Sequence, residues 1–152
     1  MGCPQFVSRL TSDHLDQLCR LYQGEWWSRG RKLDDVKRAV RHSDLIFAFC
    51  DSDTGRLVAF ARVLTDFVYK ALVFDVIVDR RYRNRGLGKM LLDALTSHPA
   101  LLFVEHMELY CREELVPFYR KLGFTADLRN LRLMRKVQEP LLAQATAVAR
   151  AS

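Results

Sequence analysis

The sequence predicts a single α+β domain with a mixed, mostly antiparallel β-sheet and helices on both faces. Apolar runs of strand length follow one another with turn-forming residues between them. Segments with helical spacing stand before and after these runs. The chain has 152 residues, the length of one domain, and it can bury a core without disulfides or a metal.

Local periodicity and turn chemistry place the elements of this fold. Leu15, Leu18 and Leu21 recur at helical spacing, and Thr11 or Ser12 just before them is a favoured N-cap. Runs such as LIFAFC have the length of buried strands, and DSDTGR after that run is turn chemistry. In chain order we expect a strand at 5–9, a helix from 12, a loop at 24–32, a helix at 33–42, strands at 45–50, 57–66 and 70–79, a helix that ends near 97, a strand at 106–111, a helix within 113–124 and a strand at 131–137.

These elements assign residues 1–137 to the domain and leave 138–152 as a C-terminal tail. The last strand is predicted because apolar and basic residues alternate in LRLMRKV. The tail is rich in alanine after Pro140. It forms either a frayed helix or a docked one, and its residues do not choose between the two.

The charge balance favours an anionic partner. Lys and Arg number 24 against 18 Asp and Glu, a net charge of +6. This excess suits nucleic acid, a membrane surface or a phosphorylated small molecule. No apolar run approaches the roughly 18 residues that a membrane span needs, and the N-terminus lacks the pattern of a signal peptide. We therefore expect no membrane partner.

The cysteines and histidines predict no metal and no disulfide framework. Cys3, Cys19, Cys50 and Cys111 are far apart and form no CxxC pair, which is typical of free thiols in a reducing compartment. The four histidines show no metal-ligand spacing. We expect a cytoplasmic protein.

A basic, glycine-containing segment at 79–95, DRRYRNRGLGKMLLDAL, lies between a predicted strand and a predicted helix. It is not a Rossmann fingerprint, because Leu91 stands where the third glycine would be. It is not a Walker loop either, because Arg83 and Met90 occupy positions that need Gly and Ser or Thr.

The physical chemistry of this segment nevertheless indicates a phosphate site. The first amides of a helix have no internal partner, and the helix dipole makes that end positive. Gly86 and Gly88 let a phosphate approach these amides, and the arginines add charge and forked donors. We infer a pyrophosphate site, although a solvated basic turn would have the same spacing.

Two motifs resemble those of the GNAT superfamily of N-acetyltransferases. RNRGLG at 83–88 is similar to the R/Q-x-x-G-x-G/A motif of that family, and VIVDRRYR before it resembles the strand end that leads into the motif. LVPFYRKLGF at 115–124 resembles the second family motif, in a form most similar to that of arylalkylamine acetyltransferases. The likeness in element order extends to Val137, so it covers most of the chain.

The resemblance implies that acetyl-CoA binds as a co-substrate. The family holds the pyrophosphate with the amides of its glycine motif and pairs the pantetheine arm with an exposed strand edge. The cofactor-binding residues implied here are Val76, Ile77 and Val78 on the strand, and Arg83, Asn84, Arg85, Gly86, Leu87, Gly88 and Lys89 in the motif.

The resemblance assigns the general acid but not the base. Tyr119 stands where the family keeps a tyrosine hydroxyl against the CoA sulfur, and a phenol can protonate the leaving thiolate. The family positions for a base hold Leu72 and Phe74, which cannot accept a proton. Asp75 and Glu25 are the candidate bases, with Asp66 and Glu108 as further acids. A water relay or an amine that arrives neutral would also serve.

The loop at 24–32 corresponds to the family loop that walls the acceptor site. Trp26 and Trp27 are adjacent, so at least one is expected to be exposed, where it could stack on a flat or cationic acceptor. A hydrophobic lid that holds two helices together is the alternative. Arg29, with Arg31 and Lys32 nearby, would favour an acceptor that carries an anionic group.

The resemblance therefore implies an N-acetyltransferase that transfers an acetyl group to a primary amine of a small molecule, protein or peptide. A GNAT fold that carries another acyl group, or that transfers to oxygen, is one alternative. A sensor that binds acyl-CoA without catalysis is another. No nucleic-acid partner is expected, because the basic residues concentrate at one turn and no aromatic RNA platform accompanies them. A homodimer stays open.

Overall fold

The computed structural model describes residues 1–138, which form a five-stranded sheet with four α-helices. Short 3₁₀ turns occupy Arg80–Tyr82, Pro99–Leu101 and Glu113–Leu115. None of the helices in residues 1–138 is long and apolar enough to cross a membrane. The main elements are β1 (Pro4–Val7), α1 (Ser12–Gln23), α2 (Leu33–Arg41), β2 (Leu45–Asp51), β3 (Leu57–Thr65), β4 (Lys70–Val78), α3 (Leu87–Thr96), β5 (His106–Leu109) and α4 (Val116–Arg120).

The sheet has the strand order β1-β2-β3-β4-β5 and is antiparallel except at its last pair. Strand β5 runs parallel to β4, because α3 provides the crossover between them. Their pairing covers only Lys70–Val73 and His106–Leu109. The predicted fold class, a mixed and mostly antiparallel α+β sheet, is confirmed.

Alternation along the strands explains why helices cover both faces of the sheet. On β2, Phe47 and Phe49 join the core under α3, whereas Ala48 and Cys50 join the core under α1 and α2. Successive strand side chains point to opposite faces, so a run that is apolar throughout needs cover on each side.

The start of α1 follows the predicted capping chemistry. Thr11 Oγ1 accepts a hydrogen bond from the His14 amide at 3.1 Å, and the Thr11 amide donates to His14 Nδ1 at 3.3 Å. Gly123, three residues beyond the end of α4, has φ +91°, the left-handed conformation that favours glycine after a helix. Helix α4 is shorter than expected, because residues 113–115 form a 3₁₀ turn before it.

The predicted strand at 131–137 is wrong. These residues have no regular secondary structure, and Leu131, Leu133, Met134 and Val137 are 63–90% exposed. Alternation alone does not form a strand, because the backbone also needs a neighbouring edge to pair with. Of the predicted tail at 138–152, all but Gln138 lies outside the described residues.

Candidate active site

A gap opens between β4 and β5 where their short pairing ends. Beyond Val73, β4 continues to Val78 and pairs only with β3, while the chain after Leu109 turns away towards α4. The rings of Phe74 and Tyr110 meet across this point, edge to face, with centroids 5.9 Å apart. The strand edge of Phe74–Val78 therefore faces the gap with backbone groups that β5 does not use.

The predicted strand site at residues 76–78 lies along this gap. Ile77 is buried in the core under α1, whereas Val76 and Val78 pack against the core under α3. The Ile77 side chain is buried and those of Val76 and Val78 are half-buried, while their backbone lies on the part of β4 that β5 does not pair with. This arrangement fits a ligand with amides of its own, which can pair with a strand edge.

The basic turn after β4 is anchored to the sheet. The Tyr82 hydroxyl donates to the buried Asp51 carboxylate at 2.7 Å, and the Asp79 carboxylate accepts from the Arg81 amide at 3.0 Å. Asn84 and Gly86 both take left-handed conformations, with φ +59° and +78°, and Gly86 caps α3. The turn thereby directs the first amides of α3 outward.

The glycines of this turn leave room for a phosphate. A Cβ at Gly86 would meet no protein atom within 4 Å, so glycine is needed there for its positive φ and for an open approach. A Cβ at Gly88 would lie 3.5 Å from the Phe118 ring. The turn therefore fits a pyrophosphate, which would accept hydrogen bonds from the free amides at the start of α3.

The basic side chains of the turn are largely engaged within the protein. Three of the five are paired with carboxylates, which leaves an excess of two positive charges at the turn. Arg80 donates to the Gly24 carbonyl at 2.5 Å. The three ion pairs are Arg81 with Asp79 at 2.8 Å, Arg83 with Glu25, and Lys89 with Asp93 at 2.5 Å.

A cavity of about 230 Å³ lies beside the turn, between α1 and the end of β4. Glu25 and Arg83, which line it, form an ion pair, and Arg83 Nε donates to the Val78 carbonyl at 3.0 Å. The loop between α1 and α2 is therefore tied to the strand end and to the basic turn.

Tyr119 lies in α4 and packs under the sheet with its ring against Phe118 and Phe124. The residue is 7% exposed, and its hydroxyl makes no hydrogen bond within residues 1–138. No fully buried side-chain oxygen or nitrogen in this part of the chain lacks a partner, so the hydroxyl reaches solvent. Burial, with a contribution from nearby Cys111, raises the pKa of Tyr119 to about 12.

Asp75 is the centre of a hydrogen-bonded cluster on the α1 face of the sheet. It sits at a bulge of β4 with φ +57°, and its carboxylate is 5% exposed. It accepts from Tyr22 Oη at 2.9 Å, from Arg62 Nε at 2.6 Å, and from Arg31 Nη1 and Nη2 at 2.9 and 3.1 Å. Burial alone would raise the pKa of Asp75, but Arg31 and Arg62 outweigh it and lower that pKa. A carboxylate held in this way is a poor proton acceptor at neutral pH.

Glu25, the other candidate base, is committed to its ion pair with Arg83. Of the further acids, Glu108 pairs with Lys70. Asp66 accepts from the amides of the β3–β4 turn, such as Tyr69 at 2.8 Å. The geometry therefore leaves none of the four candidate carboxylates as an uncommitted base.

The two tryptophans of the loop have different environments. Trp26 is 64% exposed, and the Arg112 guanidinium lies 5.0 Å from its ring centroid, so the loop reaches towards the β5–α4 connection. Trp27 packs edge to face on Tyr22, with Arg31 stacked over both rings. Arg29 is exposed. Trp27 thus closes the core while Trp26 is open to a ligand.

Arg62 is a site residue that sequence reasoning did not assign, whereas Arg31 was considered only with Arg29 as a residue that would favour an anionic acceptor. A signal for Arg62 was present, because it is the only charged residue in the apolar run LVAFARVLT. Such a residue inside a strand needs a buried partner. That partner, Asp75, follows Arg62 by 13 residues and reaches it only through the β3–β4 hairpin.

The fold has a split between β4 and β5 and a glycine-containing basic turn at the end of β4. A model of the acetyltransferase (GNAT) family matches residues 13–124, and the chain belongs to this family. Among residues 1–138, no group of three His, Cys, Asp or Glu side chains could hold a metal ion.

Relatives and solved structures agree with this family. GCN5-related N-acetyltransferase 1, chloroplastic, of Arabidopsis thaliana is 32% identical over 124 residues, which cover 80% of this chain and 62% of that protein. Serotonin N-acetyltransferase 2, chloroplastic, of Oryza sativa subsp. japonica is 33% identical over 72% of this chain and 57% of that protein. Each match spans less than two thirds of the relative's length. A crystal structure from Xanthomonas campestris pv. campestris assigned to the GNAT family has a TM-score of 0.75 and 32% identity, covering 90% of this chain and 96% of that one.

Proposed function

We propose that this chain is an acetyl-CoA-dependent N-acetyltransferase that acetylates a primary amine. The observation that carries the proposal is Tyr119 in α4, a buried residue whose hydroxyl reaches solvent and makes no hydrogen bond within residues 1–138. The basic turn supplies the phosphate site at the other end of the same strand edge. Acetyl-CoA would bring the activated acetyl group.

In this proposal the chain's own residues hold the reactants and the proton. Gly86 and the first amides of α3 bind the pyrophosphate, and the open edge of Phe74–Val78 aligns the arm that bears the acetyl group. Amides on that edge donate to the oxyanion as the amine attacks. Tyr119, whose pKa is about 12, stays protonated at neutral pH and donates to the thiolate that leaves.

No carboxylate is assigned as the base, since Asp75 and Glu25 are both committed to arginines. An amine that reaches the site in its neutral form meets the requirement of the reaction without a protein base. The expected cytoplasmic location, the absence of nucleic-acid and membrane partners and the homodimer stay predictions.

A thiol-release assay with acetyl-CoA and a panel of small amines and lysine peptides tests the proposal. We expect thiol release that depends on the amine, with a product heavier by one acetyl group in mass spectrometry. Tight binding of acetyl-CoA without thiol release for any amine would favour the sensor instead. A second panel with propionyl-CoA and with alcohols tests the other acyl group and transfer to oxygen.

A further inference from the structure

The cluster around Asp75 contains one carboxylate and two guanidinium groups. Arg31 and Arg62 both donate to Asp75, and the side chains are 35%, 15% and 5% exposed for Arg31, Arg62 and Asp75. The remaining member, Tyr22, is neutral, because burial and Asp75 raise the pKa of its hydroxyl. The cluster therefore holds one excess positive charge in a largely buried position, which is costly without a counter-ion.

Arg62 carries the uncommitted donors of this cluster. Its Nε donates to Asp75 at 2.6 Å, whereas its two terminal amino groups make no hydrogen bond within residues 1–138. Its guanidinium lies 4.9 Å from the centroid of the Phe74 ring, and Phe74 in turn meets Tyr110 at the gap. The spare donors thus lie beside the aromatic wall of the gap, on the face that α1 and its loop cover.

Other charged groups near this face do not supply the missing negative charge. Within residues 1–138, the nearby acids each have a basic partner of their own. Arg112, which faces Trp26, pairs with Glu114 at 3.0 Å. The other two pairs are Lys70 with Glu108 and Arg83 with Glu25.

We propose that Arg62, supported by Arg31, binds a carboxylate of the acceptor, so that the acceptor is a small amine that also carries a carboxylate. This inference rests on the proposed N-acetyltransferase function. A planar guanidinium with two free amino groups matches a carboxylate in a forked geometry. The Phe74 ring provides an apolar wall beside it.

The same excess charge disfavours polycationic acceptors such as lysine-rich peptides, because they would bring further positive charge to this face.

Phenylalanine and 2-phenylethylamine form a matched pair for the test, because they share a ring and an amine and differ by one carboxylate. We expect kcat/KM to be higher for phenylalanine by about tenfold or more, the worth of one charge-assisted hydrogen bond. Arg62→Gln should remove this preference, because kcat/KM should fall more for phenylalanine than for 2-phenylethylamine. Arg62→Lys should restore part of the preference, because it retains the charge but not the fork.

Arg41→Gln is the control for the loss of one positive charge, since Arg41 is exposed in the last turn of α2. It should keep the preference of the wild type. Unchanged affinity for acetyl-CoA and a cooperative melting transition show that each variant is folded. An equal or higher kcat/KM for 2-phenylethylamine or a lysine-rich peptide in the wild type would overturn the inference and leave the proposed function standing.

A binding measurement tests the site independently of turnover. With the acetyl-CoA-loaded protein, calorimetry compares 3-phenylpropionate with 3-phenylpropan-1-ol, which has a neutral hydroxymethyl group in place of the carboxylate. We expect 3-phenylpropionate to bind and 3-phenylpropan-1-ol not to bind. Arg62→Gln should lower the affinity for 3-phenylpropionate about tenfold or more. Equal binding of both compounds, or no effect of the substitution, overturns the inference. Absence of thiol release with every amine would count against the proposed function only.

Discussion

Glu25 and Arg83 form an ion pair between the loop that follows α1 and the basic turn that follows β4. The pair lies at the cavity beside the predicted pyrophosphate site. Arg83 was expected to bind a phosphate, and Glu25 was a candidate base. Because the two side chains form an ion pair, the Glu25 carboxylate competes with a phosphate for the Arg83 guanidinium.

Glu25→Gln should therefore tighten acetyl-CoA binding. The exchange removes the competing charge and retains the size of the side chain. An ion pair of this exposure is worth about 0.2–1 kcal/mol, so we expect an affinity gain of up to about fivefold in calorimetry. Glu108→Gln is the matched control, because it breaks the Lys70 pair on β4 and β5 and changes net charge equally. Weaker binding in Glu25→Gln would mean instead that Glu25 orients Arg83 for the ligand.

Gly86→Val should abolish acetyl-CoA binding while the protein stays folded. Gly55→Val is a close control, because Gly55 has φ +67° against +78° for Gly86, and a Cβ at either position meets nothing within 4 Å. Both variants should lose about 1–2 kcal/mol of unfolding free energy through backbone strain. Only Gly86→Val places a branched side chain in the path of the pyrophosphate. Equal acetyl-CoA affinities for the two variants would show that the turn does not bind the pyrophosphate.

Tyr119→Phe should lower kcat by about 10²–10⁴ and leave the affinity for acetyl-CoA nearly constant. The hydroxyl has no hydrogen-bond partner within residues 1–138, so its removal should change the melting temperature little. Tyr69→Phe, at an exposed tyrosine of the β3–β4 turn, should have no effect on either quantity. Wild-type turnover in Tyr119→Phe, with chemistry shown to be rate-limiting, would make Tyr119 a packing residue.

The raised pKa of Tyr119 has its own consequence for the rate profile. With a pKa of about 12, the hydroxyl keeps its proton well above the pH at which a free tyrosine ionises. Ionisation of the Tyr119 hydroxyl should therefore cause no fall in kcat below about pH 11. A fall centred near pH 10 that is absent in Tyr119→Phe would show that the hydroxyl ionises as in water.

Asp51 should make the unfolding free energy depend on pH in the acid range. Hydrogen bonds, first of all from the Tyr82 hydroxyl, lower the pKa of Asp51 to about 2. The ionised carboxylate therefore stabilises the fold above about pH 4, and this contribution is lost as the pH falls towards 2. Asp51→Asn should have a lower melting temperature than the wild type at pH 7. Its melting temperature should also fall less than that of the wild type as the pH is lowered to 2.

Asp53→Asn is the control for the Asp51 experiment, because Asp53 lies on the surface of the same turn. It should show the pH dependence of the wild type. If the melting temperature of Asp51→Asn fell between pH 7 and 2 by as much as that of the wild type, other carboxylates would be responsible for the stabilisation.

Local sequence determined the elements and the basic turn. The α1 cap at Thr11 and the glycine conformations at Gly86 and Gly123 each depend on residues within a few positions along the chain. The apolar runs of strand length and the turn residues between them are likewise local features, and their order along the chain predicted the mixed sheet. Such features are readable because the groups that satisfy one another are close in the chain.

Tertiary structure alone decided which charged groups meet. Asp75 binds Arg31, 44 residues away, and Glu25 binds Arg83, 58 residues away, so the candidate bases became partners of arginines. The alternating segment at 131–137 has no strand, because a strand exists only where another edge accepts its hydrogen bonds. A carboxylate's role and a strand's pairing depend on groups that the fold brings together, and spacing along the chain does not contain that information.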